Sequence, residues 1–391
     1  MIDRSIFRIG LLRLTDAAPL VVARELGYFA AENIEASLAV EPSWANVADK
    51  LSYGLLDAAM MLPPLALALD LGLSGGGGPE PIVVPSALSL DGNTVTLAER
   101  WAAPLLLDDG DALAKARRFR ALIHDRGEKP VLAVVHTFST HNLLLRYWLA
   151  AGGIDPDREV VFTVIPPAET ADALAAGRID GFCAGAPWGT VAAAAGIGRT
   201  VATSSDIWNH GTEKVLAVRR RIAEDSPVRL QAVLRALLRA ASYCDDPANA
   251  PAVAAILAAD NYLDLPPDII LASLPGADAR RCASGHGDTD VSTFFANAAT
   301  FPWRSHALWF LGQMRRWGYL AADADANRIA AIFRPDLYAE AARSLGLPIP
   351  DAPLKSEGTH TQAWSLPASP EPIAMGPDRF MDGACFEPEM A

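Results

Sequence analysis

The chain has 391 residues, enough for two or three domains or for one large α/β unit with a cleft. Hydrophobic residues make up 51% and charged residues 20%, which argues against a disordered, collagenous or low-complexity protein. The 33 basic and 46 acidic residues give a formal net charge of −13. This charge argues against a protein that holds polyanions over its whole surface, because such proteins need a large basic face. Any anion that the chain binds must be small and locally enclosed.

Neither a disulfide scaffold nor a zinc site is predicted, because the cysteines lie far apart, without CxxC spacing or a suitably spaced His. They are Cys183, Cys244, Cys282 and Cys385. Near the N-terminus, Arg8 and Arg13 interrupt the apolar stretch that a secretory signal needs. The longest uncharged apolar stretch, 58–69, contains two prolines and is shorter than the roughly 20 residues that span a bilayer. We therefore expect a cytoplasmic protein that does not cross a membrane.

The first part of the chain repeats a unit of strand, turn and helix. Residues 6–14 alternate like a strand, and Thr15 and Asp16 are N-cap candidates for the helix that follows. A strand at 34–42, a helix capped by Ser43, a strand at 56–62, a helix opened by Pro63 and a strand at 82–90 continue the series. This alternation predicts a largely parallel sheet that is covered on both faces.

A second series follows a charged helical stretch at 101–129. It consists of a strand at 131–138, a helix capped by Thr140, a strand at 159–167, a helix at 169–178 and a strand at 179–187. A strand at 213–220 is predicted to return the chain to the first series, and further helices follow. We therefore predict two α/β lobes, the first from 1–100 and 211–347, the second from 101–210. Residues 348–391 are predicted to form an extended, Pro-rich tail that packs on the lobes.

The loops that follow the predicted strands are rich in neutral hydrogen-bond donors, with one cation among them. Open α/β sheets bind ligands beyond the carboxyl ends of their strands, where helix N-termini offer free backbone N–H groups. The candidate ligand-binding residues in these loops are Trp44, Asn93, Ser139, Thr140, His141, Gly185 and Lys214. No nucleophile elbow or Ser/His/Asp set is present, so no catalytic residue is predicted, and neither is a metal or a cofactor.

Each of the main candidates also has a purely structural interpretation, which the residues alone leave open. Trp44 can pack against the sheet edge, Asn93 can form a turn, and His141 can be a buried histidine with satisfied ring nitrogens. Lys214 can be an ordinary surface lysine. Strand alternation predicts that Glu213 points to the face opposite Lys214.

Several segments resemble the nitrate- and bicarbonate-binding proteins of cyanobacterial uptake systems, the NrtA/CmpA-like family. They are 15–38, 138–160, 177–198, 305–320 and 380–388, and within them RYWLAAGGID and FCAGAPW are specific to the resemblance. The similarity runs across nearly the whole chain. It implies a two-lobed α/β fold of the periplasmic-binding-protein-like type II class, with a central ligand cleft.

Because no export signal is visible, the chain looks more like the cytosolic nitrate and nitrite sensors of this family, the NasS type. The role of such sensors is to hold an RNA-binding antiterminator of the ANTAR class (NasT-like) in check until nitrate or nitrite appears, which controls the genes of nitrate assimilation. The resemblance thus implies two partners, nitrate or nitrite and this antiterminator. It implies no direct contact with nucleic acid or a membrane.

The family's nitrate pocket carries over onto four positions of this sequence. They are Trp44 in the SW pair, Asn93 after the NG-like turn, His141 in STHNLL and Lys214 in GTEK. The sequence departs from the family pattern in two ways, because Asn93 replaces a longer Gln and residues 138–139 replace two glycines. These departures affect the reach of the amide and the backbone donors beside His141.

Nitrate only accepts hydrogen bonds, so the resemblance predicts a cage of donors with one cation. Bicarbonate carries a proton, and the bicarbonate-binding members use carboxylates and a calcium ion; we find no matching acidic cluster in this sequence. Three classes of function remain open: a cytosolic sensor, a solute receptor of a nitrate or bicarbonate ABC transporter, and an enzyme that shares only the fold.

Overall fold

The computed structural model describes residues 6–74, 81–107, 109–277 and 291–388. Two five-stranded sheets form two lobes, which confirms the predicted two-lobed α/β fold. In spatial order the first sheet holds β2 (Ala36–Val40), β1 (Phe7–Leu11), β3 (Ala58–Met61), β10 (Thr212–Arg219) and β4 (Ile82–Leu90). The second sheet holds β7 (Val161–Val164), β6 (Val131–Val134), β8 (Gly181–Gly185), β5 (Asn93–Ala98) and β9 (Gly198–Thr203).

Each sheet is mostly parallel and contains one strand that runs the other way. In the first sheet β1 pairs in parallel with β2 and β3, whereas β10 is antiparallel to β3 and β4. In the second sheet β6 pairs in parallel with β7 and β8, whereas β5 is antiparallel to β8 and β9. The return of the chain into the first sheet through β10 places the amino end of that strand beside the carboxyl ends of its neighbours.

Seventeen helices within the described residues cover the two sheets. They are α1 (Ala18–Glu25), α2 (Tyr28–Ala31), α3 (Trp44–Ser52), α4 (Pro63–Asp70), α5 (Glu99–Ala102), α6 (Ala112–Arg126), α7 (Thr140–Ala151), α8 (Thr170–Ala175), α9 (Trp188–Ala194), α10 (Ser204–Ile207), α11 (Arg220–Asp225), α12 (Pro227–Asp245), α13 (Ala250–Leu257), α14 (Pro267–Leu271), α15 (Arg304–Arg316), α16 (Ala326–Ala330) and α17 (Pro335–Ser344). Short 3-10 helices span Thr15–Ala17, Ala103–Leu106 and Pro167–Glu169.

The start signals of the helices were predicted correctly in some places and wrongly in others. Ser43 caps α3 as predicted, since its hydroxyl accepts a hydrogen bond from the backbone N–H of Asn46 at 3.3 Å. The cap of α7 is Ser139 rather than Thr140, because the Ser139 hydroxyl accepts from the Asn142 N–H at 2.9 Å. Neighbouring hydroxyl residues leave the choice of cap to the backbone conformation, which the sequence does not show.

The chain first crosses between the lobes at residues 91–92, before the predicted boundary at residue 100. β5 follows this crossing and pairs with β8 and β9, so it belongs to the second sheet. Its alternating pattern identifies a strand but carries no information about the sheet that the strand joins. Asn93, expected on the first lobe, therefore begins a strand of the second.

Helix α15 and the C-terminal residues connect the two lobes. α15 packs against α4 of the first lobe and α7 of the second. The tail contributes the short strands β11 (Ile349–Pro350), β12 (Trp364–Leu366), β13 (Ala368–Ser369) and β14 (Ile373–Met375), and Phe380 stacks on Trp208 with ring centroids 5.4 Å apart. In addition, the Ser305 hydroxyl donates to Glu357 at 3.1 Å. The tail is thus tied to the body by aromatic stacking and by a buried carboxylate.

None of the helices in the described part of the chain combines the length and the apolar character needed to cross a membrane. Cys183, Cys244 and Cys385 are free thiols, and Cys282 lies outside the described residues.

Candidate functional site

The candidate residues meet where the strands of the two sheets face each other. The parallel strands β1, β2, β6 and β8 end at this edge, and the antiparallel strands β5 and β10 begin there. Asn93 is the first residue of β5, and Lys214 is the third residue of β10. β5 and β10 run opposite to their neighbours. Their first residues therefore lie at the same edge as the loops that follow β1, β2, β6 and β8.

Backbone hydrogen bonds hold the two lobes together at this edge. The Thr15 N–H of the first lobe donates to the carbonyl of Ala186 in the second at 2.8 Å. The two crossings of the chain also lie side by side, since the Asp91 N–H donates to the Gly211 carbonyl at 3.0 Å. The site is therefore enclosed between lobes that are in direct contact.

Lys214 is the centre of the site. Its side chain is 0% exposed, and its ammonium nitrogen lies 2.6 Å from a carboxylate oxygen of Asp16 and 2.6 Å from one of Glu213. The same nitrogen lies 5.6 Å from the ring centroid of Trp44. A buried ammonium is costly unless anionic groups or strong acceptors surround it, and here two carboxylates do so.

Glu213 connects Lys214 to the second lobe. The Asn93 side-chain amide donates to the other Glu213 carboxylate oxygen at 2.5 Å. The Thr140 hydroxyl donates to the Glu213 backbone carbonyl at 3.5 Å, and the Nε2 atom of His141 approaches the carboxylate to 3.4 Å. Residues of β5 and α7 thereby contact the charged pair that β10 carries.

Two predictions about acidic residues are wrong. Glu213 was expected on the face opposite Lys214, but the pairing of β10 with β4 shifts register at Thr212, Lys214 and Val215, and such irregularities break strict alternation. Asp16 was expected to cap a helix, but it lies inside a 3-10 helix whose N-cap is Leu14, and its carboxylate contacts Lys214. Two buried carboxylates therefore share one ammonium, an arrangement that the sequence did not predict.

Burial perturbs the titration of every ionisable group in the site. It raises the pKa of Asp16 and raises that of Glu213 to about 7, even though Lys214 opposes both shifts. Burial also opposes the charge of Lys214, but attraction to Asp16 and Glu213 is greater in sum and raises the pKa of the ammonium. Burial together with the nearby Lys214 charge lowers the pKa of His141 well below its usual value, so its ring is neutral.

Several buried polar atoms around Lys214 have no hydrogen-bond partner among the described residues. They are the indole N–H of Trp44, both ring nitrogens of His141 and the hydroxyl of Ser89, which pairs in register with Lys214. The 3.4 Å approach of His141 to Glu213 does not meet hydrogen-bond geometry. Buried donors are normally satisfied, so a group of unused ones beside an ammonium indicates the place of a small ligand that accepts hydrogen bonds.

Gly185 and Ser139 have different positions relative to this centre. Gly185 pairs with Asn93 across β8 and β5, and a Cβ atom built on it would lie 3.6 Å from a carboxylate oxygen of Asp16. Its lack of a side chain therefore keeps space free at the edge of the site. The hydroxyl of Ser139 is engaged in capping α7, so it supports His141 rather than facing Lys214 directly.

The structure thus brings Trp44, Asn93, Thr140, His141 and Gly185 together around Lys214. That they bind nitrate remains a prediction. Sequence reasoning missed Asp16, Glu213 and Ser89. The Thr-Asp pair in the loop region after β1 and the Glu directly before Lys214 were the available signals, since both lie at the ligand-binding edge of the sheet. In the described part of the chain, no group of three or more His, Cys, Asp or Glu side chains is arranged to hold a metal ion.

Known proteins share this sequence and architecture. Residues 3–258 match the NMT1-like family. The chain is 38% identical over 343 residues to the nitrate import ATP-binding protein NrtC of Synechocystis and to the bicarbonate transport ATP-binding protein CmpC of Synechococcus elongatus. These matches cover 87% of the chain, but the chain spans only about half the length of either relative, 50% and 49% respectively.

Other matches cover most of both chains. The chain is 32% identical over 390 residues to the nitrate/nitrite binding protein NrtA of Synechococcus elongatus, which covers 97% of this chain and 83% of that protein. The crystal structure of the periplasmic nitrate-binding protein NrtA from Synechocystis superposes with a TM-score of 0.84 at 25% identity, covering 98% of this chain and 96% of the other. These relatives are named as binding or transport proteins, in agreement with the prediction of a binding protein rather than an enzyme. The chain therefore belongs to the NMT1-like family, and within it to the nitrate- and bicarbonate-binding substrate-binding proteins of the NrtA/CmpA type.

Proposed function

We propose that this chain is a cytosolic sensor that binds nitrate or nitrite between its two lobes and thereby releases an ANTAR-type RNA-binding antiterminator that controls the genes of nitrate assimilation. The observation that carries the ligand half of this proposal is the buried Lys214 ammonium, surrounded by unused donors from Trp44 and His141. A protein that bound no small anion here would leave these polar atoms buried without compensation.

The chemistry of the donors fits nitrate and nitrite. An indole N–H only donates, and so does an ammonium, while a neutral imidazole donates through one of its nitrogens. Nitrate offers only acceptor oxygens, and its single negative charge is compensated by Lys214. These groups come from three elements, α3, α7 and β10, so the anion would contact both lobes.

Bicarbonate is the second ligand that the site supports, because of Asp16 and Glu213. Their carboxylate oxygens lie within the site, and an O–H group on a ligand would find an acceptor there. The relatives include proteins named for nitrate and for bicarbonate, so similarity does not separate the two ligands. We favour nitrate and nitrite because the resemblance places the family's nitrate pocket at Trp44, His141 and Lys214.

Support for a sensor rather than an exported receptor comes from the relatives that bind ATP. The chain is 38% identical to about half of a nitrate import ATP-binding protein, and a component that binds ATP works on the side of the membrane where ATP is present. A domain of this type attached to such a component meets its ligand inside the cell. The alternative is the receptor of a nitrate or bicarbonate ABC transporter, which the similarity to NrtA supports.

Release of a partner follows from differential binding to two arrangements of the lobes. An anion held by groups on both lobes stabilises the closed arrangement, and a partner that prefers the open one is then expelled. Coupling energies in such systems are typically about 1 to 3 kcal/mol. The net charge of −13 favours association with a basic RNA-binding protein and suits a surface that competes with RNA.

Calorimetry with the purified chain tests the ligand. Nitrate, nitrite and bicarbonate are titrated separately into the protein, and the Lys214→Ala variant is titrated in parallel. Heat from nitrate or nitrite that disappears in the variant supports the proposal. Heat from bicarbonate alone supports the bicarbonate alternative, and unchanged nitrate affinity in the variant contradicts the site assignment.

Size-exclusion chromatography tests the partner. The chain is mixed with an ANTAR-type antiterminator from the same organism, and the complex is followed with and without nitrate. We expect a complex that dissociates when nitrate is added. A complex that is indifferent to nitrate, or the absence of any complex, contradicts the sensor role while leaving the ligand assignment intact.

A further inference from the structure

The anion site contains more negative charge than an anion-binding site is expected to hold. The Asp16 and Glu213 side chains are 2% and 1% exposed, and both contact the ammonium of Lys214 at 2.6 Å. Their interacting oxygens are therefore no more than about 5 Å apart. If both were ionised, the site would carry a net charge of −1 before any ligand arrived.

Among the described residues, no further cation contacts Asp16 or Glu213 to correct this imbalance. His141 on α7 faces Glu213 with a neutral ring, and Asn93 on β5 and Trp44 on α3 are uncharged. The 3-10 helix that carries Asp16 continues into α1, and its backbone N–H groups contribute only a partial positive charge near that carboxylate. An extra anion at about 5 Å from an unpaired carboxylate, at an effective dielectric constant of about 20, would bind roughly 100-fold or more weakly than beside a neutral group.

We propose that the site takes up its anion together with at least one proton, and that a carboxyl oxygen of Asp16 or Glu213 receives this proton. This proposal rests on the proposed nitrate or nitrite site and names the residues that set the charge of its ligand. The proton comes from solvent and forms an O–H bond on a carboxylate oxygen, and no other covalent bond changes. The ammonium of Lys214, no longer held by that carboxylate, is then free to contact the anion.

The geometry around Glu213 indicates which atom receives the proton in that residue. Its Oε2 atom accepts a hydrogen bond from the Asn93 amide at 2.5 Å, whereas its Oε1 atom faces Lys214 and His141. A proton on Oε1 gives the site another donor toward an anion beside Lys214. The pKa of Glu213, raised to about 7 by burial, makes this protonation accessible near neutral pH.

A site of this kind selects monoanions. When a monoanion binds, uptake of one proton keeps the net charge of the enclosed site unchanged. A dianion such as sulfate requires uptake of two protons. A neutral molecule can accept a hydrogen bond from the ammonium but has no charge for it to compensate. Asp16 and Glu213 are thus specificity-determining residues, in addition to the donors that contact the ligand.

The test is calorimetric titration of the full chain with nitrate at pH 6 and pH 8, at each pH in two buffers that differ in ionisation enthalpy. The dependence of the observed heat on buffer enthalpy gives the number of protons taken up. We expect about one proton per nitrate at pH 6 and between one and two at pH 8, where Glu213 is mostly ionised in the free protein. Affinity should then fall at least roughly 100-fold from pH 6 to pH 8.

Nitrate binding with no dependence of the heat on the buffer at either pH would overturn the proposal. Absence of any nitrate or nitrite binding is a different result, because it rejects the proposed function itself. The wild-type measurement decides between these outcomes even if a variant fails to fold.

The Glu213→Gln variant tests whether Glu213 takes up the additional proton that we expect at pH 8. Gln resembles a protonated Glu in shape and cannot titrate. We expect this variant to take up about one proton at both pH values. A proton count at pH 8 equal to that of the parent would overturn the assignment to Glu213. Asp57→Asn is the matched control, since Asp57 is a buried carboxylate paired with Arg8 at 3.0 Å and should leave the proton count unchanged.

Discussion

Replacing Lys214 with Met should separate the stabilising role of the ammonium from its role in ligand binding. The substitution removes the only cation in contact with Asp16 and Glu213 among the described residues, while keeping most of the side-chain volume. Removing one partner from a buried charged group typically costs about 3 to 5 kcal/mol of unfolding free energy, because the remaining charges are left uncompensated. We expect a loss of this size at pH 8, together with loss of nitrate binding.

The sign of the pH dependence follows from the two carboxyl groups. Lys214 opposes the effect of burial on the pKa values of Asp16 and Glu213, so its removal raises both pKa values further. A carboxyl whose pKa is raised in the folded state favours folding at low pH, and this contribution is lost as the pH rises. The variant should therefore be least stable relative to the parent near pH 8 and closest to it near pH 5.

Denaturant unfolding at pH 5 and pH 8, with calorimetry for nitrate, measures both effects. The triple variant Asp16→Asn, Glu213→Gln, Lys214→Met removes all three charges and should regain most of the stability at pH 8 without regaining nitrate binding. Arg199→Met is the control, because Arg199 contacts Glu99 at 3.4 Å while the two side chains are 48% and 57% exposed, so that it should cost about 1 kcal/mol or less. A Lys214→Met variant that is as stable as the parent at pH 8, or that binds nitrate as tightly, would refute this reasoning.

Three further substitutions test other parts of the structure. Trp44→Phe removes the unpartnered indole N–H and should weaken nitrate binding roughly 10- to 100-fold in calorimetry, while the smaller ring lowers the unfolding free energy by about 1 to 2 kcal/mol at this buried position; equal affinity would show that this N–H does not contact the ligand. Gly92→Ala should lower the unfolding free energy by about 1 kcal/mol or more, because Gly92 has a φ of +92° and a Cβ atom would lie 2.4 Å from the Ser292 hydroxyl; an unchanged denaturation midpoint would contradict this. Burial raises the pKa of Glu357, but interactions with His306 and Lys355 outweigh it and hold the pKa at about 2. The stabilisation from Glu357, about 3 kcal/mol, should thus be present above pH 4.5 and be lost as the pH falls toward 2; Glu357→Gln should remove this dependence, and parallel acid-unfolding curves would refute it.

The fold could be predicted largely from the sequence because its elements have strong local signals. Ser43 and Pro63 mark helix starts, and the apolar strands at 7–11 and 58–61 are short and continuous. The assignment of a strand to a sheet depends on long-range pairing instead. For that reason β5 was placed in the first lobe, although it pairs with β8.

The candidate site could be predicted only in part, and for a similar reason. Trp44, His141 and Lys214 lie next to clear strand and helix boundaries, so their positions at one edge follow from the topology. The orientation of Glu213 depends on a register shift in β10, and the role of Asp16 depends on a 3-10 turn that replaces a helix cap. Neither irregularity can be recognised from the types of the residues involved. The sequence therefore did not predict that Asp16 and Glu213 contact Lys214.

The chain passes between the lobes at Gly92 and again at Gly211. These two connections lie side by side, so any rotation of one lobe against the other would have its axis near them. Asn93 and Glu213 follow these crossings by one and two residues, so an anion bound as proposed would lie close to the axis of any rotation between the lobes. Displacement in a rigid rotation grows in proportion to the distance from the axis. A small shift of the residues around the anion would therefore correspond to a larger displacement of the lobe surfaces far from the axis, where the proposed partner would make contact.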